Sequence, residues 1–210
     1  AALLLPMFAN MIKNNKKLEE LVKLSFSLIF LPAIVVSIFS FFFSFELMDL
    51  MYKSNIEDSA NVLSVLMFCF VAIASTYIFG TLLTANGSLR TLNKLAIGGM
   101  VLNLLLNYIL IPILKAEGSA LASLITQTII VVAQIFIVRK VFNFKVNYKY
   151  IMSLLFYVLL LVIGLYYIGI FVSGVFIQLS IFVIVSIILA FLMRIINVKK
   201  MLEILVSKEL

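Results

Sequence analysis

Long apolar blocks alternate with short polar stretches along the whole chain, and the blocks have the length of membrane crossings. A helix needs about 20 apolar residues to cross a hydrocarbon core of about 30 Å. Leu24–Phe45 is one such block, with Pro32 inside it. Ser59–Ala85 is a second, Leu95–Leu114 a third that Pro112 is expected to end, and Gly118–Val138 a fourth. Ile151–Met193 holds no charged residue. As one helix it would be about 64 Å long, twice the core thickness. It therefore divides into two spans near Gly169–Gly174, where Gly and Ser allow a turn. The pattern predicts an all-α, polytopic membrane helix bundle of six transmembrane helices. Residues 1–12 add the end of a preceding helix, truncated here.

The connections differ in charge by turns. Residues 10–23 carry Lys13, Lys16, Lys17 and Lys23, whereas residues 46–58 carry Glu46, Asp49, Glu57 and Asp58 against Lys53 alone. Arg90 and Lys94 follow the second span, and Lys115 and Glu117 the third. Arg139, Lys140, Lys145 and Lys149 follow the fourth, nothing charged follows the fifth, and the tail has Arg194, Lys199, Lys200 and Lys208. All of the sixteen Lys and Arg except Lys53 and Lys115 thus fall on one set of connections. Lys and Arg are retained on the cytoplasmic side, so that set and the C-terminus are expected there.

Composition agrees with this reading. Of the 210 residues 65% are apolar and 12% charged, against about 45–50% apolar in a soluble domain. The net charge of +7 sits at block ends without a basic stripe, which speaks for lipid headgroups and against nucleic acid. No His is present, and the lone Cys69 excludes an internal disulfide. No catalytic constellation or metal-ligand cluster is visible, so the expectation is a protein that is not an enzyme and needs no cofactor. Leu18, Leu21 and Val22 share a face, so residues 13–23 read as an interfacial helix or a solvated linker. Tyr148, Tyr150, Tyr166 and Tyr167 suit an interfacial belt, and Phe41–Phe43 suit lipid.

Lipid is as apolar as leucine, so membrane helices associate through small and polar residues. Ala72, Thr76, Gly80 and Thr84 form a small stripe on the second span; Ala33, Ser37, Ser40 and Ser44 form one on the first. Gly98 and Gly99 are expected to allow close approach in the third. These are candidate helix-packing residues, or a stripe that slides in a moving transporter. Asn103 and Asn107 lie one turn apart on the third span, and Ser123, Gln127 and Gln134 share a face of the fourth. Buried amides need partners or water. Either the two sets satisfy each other, or Asn103, Asn107, Gln127 and Gln134 line a cavity for a polar solute. Gln178 is expected at the interface. No Asp, Glu, Lys or Arg lies deep in a span, which disfavours proton relays and ion sites.

The segment from Tyr77 to Gln134 resembles the C-terminal part of bacterial polysaccharide biosynthesis proteins, the flippases of lipid-linked oligosaccharides. That family shares a superfamily with the multidrug and toxin extrusion exporters. The resemblance rests on Leu83, Ala85 and Gly87, a basic turn, Asn103 and Asn107, Ile111 and Pro112, then Gly118, Ser119, Ala120 and Ala122. Pro6 before a Lys-rich connection also fits, whereas Lys115-Ala116-Glu117 stands where the family often has a Gly. The resemblance implies two six-helix lobes around a cavity, with two further helices at the C-terminus. Residues 24–140 would then be four helices of the second lobe, residues 141–193 the extra pair, and residues 194–210 a cytoplasmic tail. It implies alternating access, an undecaprenyl-pyrophosphate-linked oligosaccharide as substrate, the missing N-terminal lobe as partner, H+ or Na+ as a coupling ion, and the bacterial inner membrane as location. A drug or cation exporter of the same superfamily, and a polytopic glycosyltransferase or polymerase, are the alternatives.

Overall fold

The computed structural model describes residues 4–14 and 18–195. Lys16, Lys17 and the tail with Lys199, Lys200 and Lys208 lie outside the described residues. Everything regular within them is helical: α1 Leu4–Lys13, α2 Leu18–Phe42, α3 Ser44–Met51, α4 Ile56–Ala85, α5 Leu89–Phe142, α6 Tyr148–Phe171 and α7 Val175–Leu192. Helices close every backbone hydrogen bond internally, the one requirement hydrocarbon imposes on a single segment. Five of them are long and apolar enough to cross a membrane.

The longest, α5, has 54 residues and folds back on itself. Lys115 leaves helical geometry, with φ 52° and ψ −126°. The arms, residues 89–114 and 116–142, then run antiparallel, placing Gly99 beside Ile130 and Asn103 beside Thr126. Each arm is about 40 Å long and suffices to cross about 30 Å of hydrocarbon. The six expected crossings are therefore α2, α4, the two arms of α5, α6 and α7. Pro112 does not end its span as expected; it lies within the first arm. A helical proline near an arm end forfeits only its own N–H bond, and the break follows three residues later at Lys115.

Lys115 carries a Cβ in a region that favours glycine, and such positions cost of order 1–3 kcal/mol. Lys115→Gly is expected to stabilise the chain by about 1 kcal/mol, after the extra unfolded-state entropy of glycine is subtracted. Thermal unfolding in detergent reads this directly; a lower Tm would contradict it.

The turn from α4 to α5 is built differently. Gly87 has φ +73°. The Gly87 N–H donates to the Thr84 carbonyl and the Ser88 N–H to the Leu83 carbonyl. This is a Schellman closure, which wants a glycine at the left-handed position. α6 and α7 part at residues 172–174, where Gly174 has φ +99° and the Gln178 amide donates to the Val172 carbonyl at 2.6 Å. Gln178, expected at the interface, is thus buried in the turn.

Residues 18–23 form the first turns of α2, neither a separate interfacial helix nor a linker. Leu18, Leu21 and Val22 are buried there against Phe8, Ile78, Leu82, Leu83 and Val138. That cluster gathers α1, the start of α2, the end of α4 and the end of α5. At its other end α2 stops at Phe42, short of Phe45, and the expected acidic loop contains α3. Phe41 and Phe42 face outward as expected, but Phe43 stacks inward on Phe39 with centroids 4.7 Å apart. A second cluster joins α2 to α6 and α7 through Ile38, Phe39, Tyr157, Leu161, Leu165 and Phe182. Tyr157 donates to the Ser186 carbonyl at 3.3 Å. Tyr148, Tyr166 and Tyr167 are exposed. Tyr150 is not in an open belt: its hydroxyl lies 2.7 Å from that of Ser27, and the Lys23 ammonium sits over its ring.

Candidate functional site

A cleft of about 620 Å³ opens between α1, α4 and the start of α5. Leu5, Ile73 and Leu92 supply its apolar wall, and Thr76, Tyr77, Gly80, Thr81 and Thr84 its polar one. The polar wall is one face of α4. Positions 76, 80 and 84 recur every four residues, and 77 and 81 lie beside them, so α4 presents a polar stripe two residues wide. Thr76, Gly80 and Thr84 were read as helix packing. In the fold they are half-buried and border the cleft, while Ala72 is buried outside it.

Gln134, on the second arm of α5, reaches this stripe from behind. It is 4% exposed, and its amide lies where Gly80 has no side chain. A Cβ built on Gly80 would be 3.7 Å from Nε2 and 3.8 Å from Oε1. Two buried oxygens here have no hydrogen-bond partner, Gln134 Oε1 and Thr76 Oγ1. The neighbouring hydroxyls are committed to their own helix: Thr81 donates to the Tyr77 carbonyl at 2.6 Å and Thr84 to the Gly80 carbonyl at 2.8 Å. Among the described residues, no charged side chain lines the cleft.

The other amides are gathered elsewhere. Asn107 Nδ2 donates to the carbonyl and to Oδ1 of Asn103, both at 2.9 Å. Asn103 Nδ2 points to Thr126 Oγ1 at 3.5 Å across the hairpin. The partner of the asparagine pair is thus Thr126, and not the glutamines that shared amides would suggest. Asn107 Oδ1 remains without a partner, and Gln127 is half-buried and takes no part in either group. None of the four amides borders the cleft. The two glycines of the first arm also separate. Gly99 is buried against Ile130, whereas Gly98 is exposed with nothing within 4 Å, so it does not serve close approach.

Two further clefts have other characters. One of about 280 Å³ between α2, α6 and α7 is apolar, lined by Leu31, Pro32, Val35 and Tyr157 among others. One of about 350 Å³ beside α3 includes Asp58 and Ala116. This second cleft marks the end of the bundle that holds Glu46, Asp49, Glu57 and the Lys115 turn. The α1–α4–α5 cluster marks the opposite, basic end, with Lys13, Lys23, Arg90, Arg139 and Lys140 on its elements. Among the described residues, no group of three or more His, Cys, Asp and Glu could hold a metal ion. Tyr77 and Thr81 went unnoticed in the sequence reading, which followed one residue per turn; the adjacent diagonal was the signal.

Residues 10–109 match the MatE family model, of the multidrug/oligosaccharidyl-lipid/polysaccharide flippase superfamily. The match runs from the end of α1 into the first arm of α5. It includes the α4 face of the cleft and stops short of Gln134. MatE proteins are membrane transporters and not enzymes. No curated protein matches the chain.

Proposed function

We propose that this chain is the C-terminal half of a transporter that flips undecaprenyl-pyrophosphate-linked oligosaccharides across the bacterial inner membrane, for cell-surface polysaccharide synthesis. The observation that carries the reading is the uncharged, incompletely satisfied polar interior. Thr76, Asn107 and Gln134 hold buried oxygens without partners in spans that contain no deep Asp, Glu, Lys or Arg. Such groups are costly in hydrocarbon unless a solute or water meets them. Neutral amides and hydroxyls suit sugar hydroxyls. The MatE match and the resemblance of the Tyr77–Gln134 segment support transport by rocking of two lobes around a midplane site.

In this reading Asn103, Asn107, Gln127 and Gln134 contact solute, and Gln134 is the one packed against Gly80 behind the cleft's polar wall. The basic end of the bundle faces the cytoplasm, with the C-terminus. The pyrophosphate of the carrier needs cations that these spans lack, so the N-terminal lobe supplies them. A coupling ion, H+ or Na+, would likewise bind outside these spans.

The test is deletion of the gene that encodes the full-length protein. Lipid-linked oligosaccharide should accumulate on the cytoplasmic face and surface polysaccharide should be lost. Normal export in the deletion strain would refute the proposal. The second reading is a drug or cation exporter, which the MatE match equally allows. It requires that the same strain become sensitive to aromatic cations while polysaccharide stays normal.

A further inference from the structure

We propose that the cavity between α2, α6 and α7 holds one acyl chain of an anionic glycerophospholipid, drawn from the leaflet at the basic end of the bundle, with its phosphate on Lys23, Lys149 and Arg194. The inference goes beyond the transport reading and is independent of which solute is moved.

The cavity, of about 280 Å³, lies within three of the helices long and apolar enough to cross a membrane. Its floor, with Leu31, Tyr157 and Ala190, is buried, and its rim, with Leu28, Ile187 and Phe191, is exposed. It therefore opens sideways into hydrocarbon. Among the described residues, its wall holds two polar side chains, and both are spent. The Tyr157 hydroxyl donates to the Ser186 carbonyl and the Ser186 hydroxyl to the Val183 carbonyl. A polar solute finds no free partner there. On α2 the cavity runs from residue 28 to 36, about 12 Å at 1.5 Å per residue. A helix about 10 Å across would displace about 900 Å³ over that length, far more than the space present. A single hydrocarbon chain is the occupant that fits.

The charges lie just beyond one end. α2 begins at the basic end of the bundle and α7 returns to it, so Leu28 and Phe191 mark the basic end of the cavity. Lys23 precedes Leu28 by about 7 Å of helix, and Arg194 follows Phe191 by about 5 Å. The 2.7 Å contact of the Ser27 and Tyr150 hydroxyls brings the start of α6, with Lys149, to the same level. Three helices thus each place a cation beside the end of the cavity. Lys23 is held there by the Tyr150 ring, its ammonium 5.1 Å from the centroid. The carboxylates of this end, Glu19 and Glu20, sit about a turn farther from the hydrocarbon. A lipid phosphate above its acyl chains matches that order of positive level and apolar cavity.

Arg194 adds a separate sign. α7 closes as α4 does, with the Arg194 N–H on the Phe191 carbonyl and the Ile195 N–H on the Ala190 carbonyl. Arg194 takes the left-handed position, at φ 52°, where such a closure favours glycine. Gly87 fills the matching position after α4. After α7 the chain carries a cation there instead, at a conformational cost.

The experiment uses the full chain in polyoxyethylene-detergent micelles with phosphatidylglycerol or phosphatidylcholine of identical acyl chains, read by native mass spectrometry and by Tm. Wild type should retain one phosphatidylglycerol in preference to phosphatidylcholine and gain Tm from it. Arg194→Gly should raise the Tm in phosphatidylcholine by relieving the backbone. It should also weaken apparent phosphatidylglycerol binding about fivefold, the worth of one cation at a membrane surface. Lys23→Gln should weaken it by a similar factor. Ile187→Trp, on the lipid-facing rim, should fold normally and displace the chain, so that retention of both lipids falls. Lys94→Gln, near the start of α5 and away from the cavity, should bind as wild type does. The site is refuted if wild type does not distinguish the two lipids, or if Lys94→Gln loses as much as Arg194→Gly. It is also refuted if Ile187→Trp retains lipid as wild type does. Retention of undecaprenyl phosphate and not of phosphatidylglycerol would overturn it in favour of a carrier lipid. Normal export on gene deletion would sink the transport reading and leave this site standing; failure of the lipid experiment would leave the transport reading intact.

Discussion

Gly118→Ala should cost the chain about 3 kcal/mol or more, the upper end of what overpacking does. Gly118 lies three residues beyond the Lys115 break, where the second arm of α5 presses on the first. An alanine Cβ there would collide with the Leu110 carbonyl oxygen and stand 2.6 Å from its carbon. Both are backbone atoms of a helix and cannot rotate away. The arms must separate, and the pairs below the turn, Asn103 with Thr126 and Gly99 with Ile130, lose register. At about 2–4 °C per kcal/mol for a chain of this size, the Tm should fall by about 10 °C. Two other glycines calibrate the result. Gly99→Ala meets the Ile130 Cδ1 at 2.5 Å, the far end of a side chain that can turn aside, so its cost should be smaller. Gly98→Ala meets nothing within 4 Å and should be neutral or slightly stabilising. Equal Tm values for the Gly118 and Gly98 variants would contradict the hairpin.

Ser37→Leu should be comparably damaging at the other main helix contact. Ser37 is 0% exposed, and its hydroxyl lies between the Ala33 carbonyl of its own helix at 2.8 Å and the Met67 carbonyl of α4. The small side chain allows α2 to touch the α4 backbone. Leucine removes both the hydroxyl and the space, and filling a close helix contact in this way costs about 3 kcal/mol or more. Since α2 also carries the cluster that holds α6 and α7, the expected outcome is loss of a monodisperse peak in detergent size-exclusion chromatography. Ser37→Ala keeps the space and loses only the hydrogen bond, about 0.6 kcal/mol on average between membrane helices. It should behave nearly as wild type. If the leucine variant is as stable as the alanine one, the contact is not close.

These expectations show which features of the site were readable beforehand. The α4 stripe was legible because a four-residue repeat of small residues maps onto one helix face whatever surrounds it. What that face meets was not legible. Thr76, Gly80 and Thr84 could have been buried entirely by a neighbour, as Ala72 is. Instead the helix beside them leaves a cleft on one side and brings Gln134 to the other. The amides show the same limit. Asn103 and Asn107 were placed correctly on one face, but the register of the hairpin gives them Thr126. Gly98 and Gly99 are adjacent in sequence and about 100° apart on the helix, so only one of them can face the second arm.

The sequence by itself determined the apolar crossings, and the gathering of basic residues at one end and acidic residues at the other. It could do so because hydrocarbon demands closed backbone bonding over a set length, and each segment meets that demand alone. The tertiary structure decided the partners of the polar groups, the start of α2 in a buried cluster, and the cleft itself. Those depend on how far one helix slides and rotates against another. Contacts distant in the chain set that register, above all Asn103 on Thr126 and Gln134 on Gly80, and no local pattern encodes them.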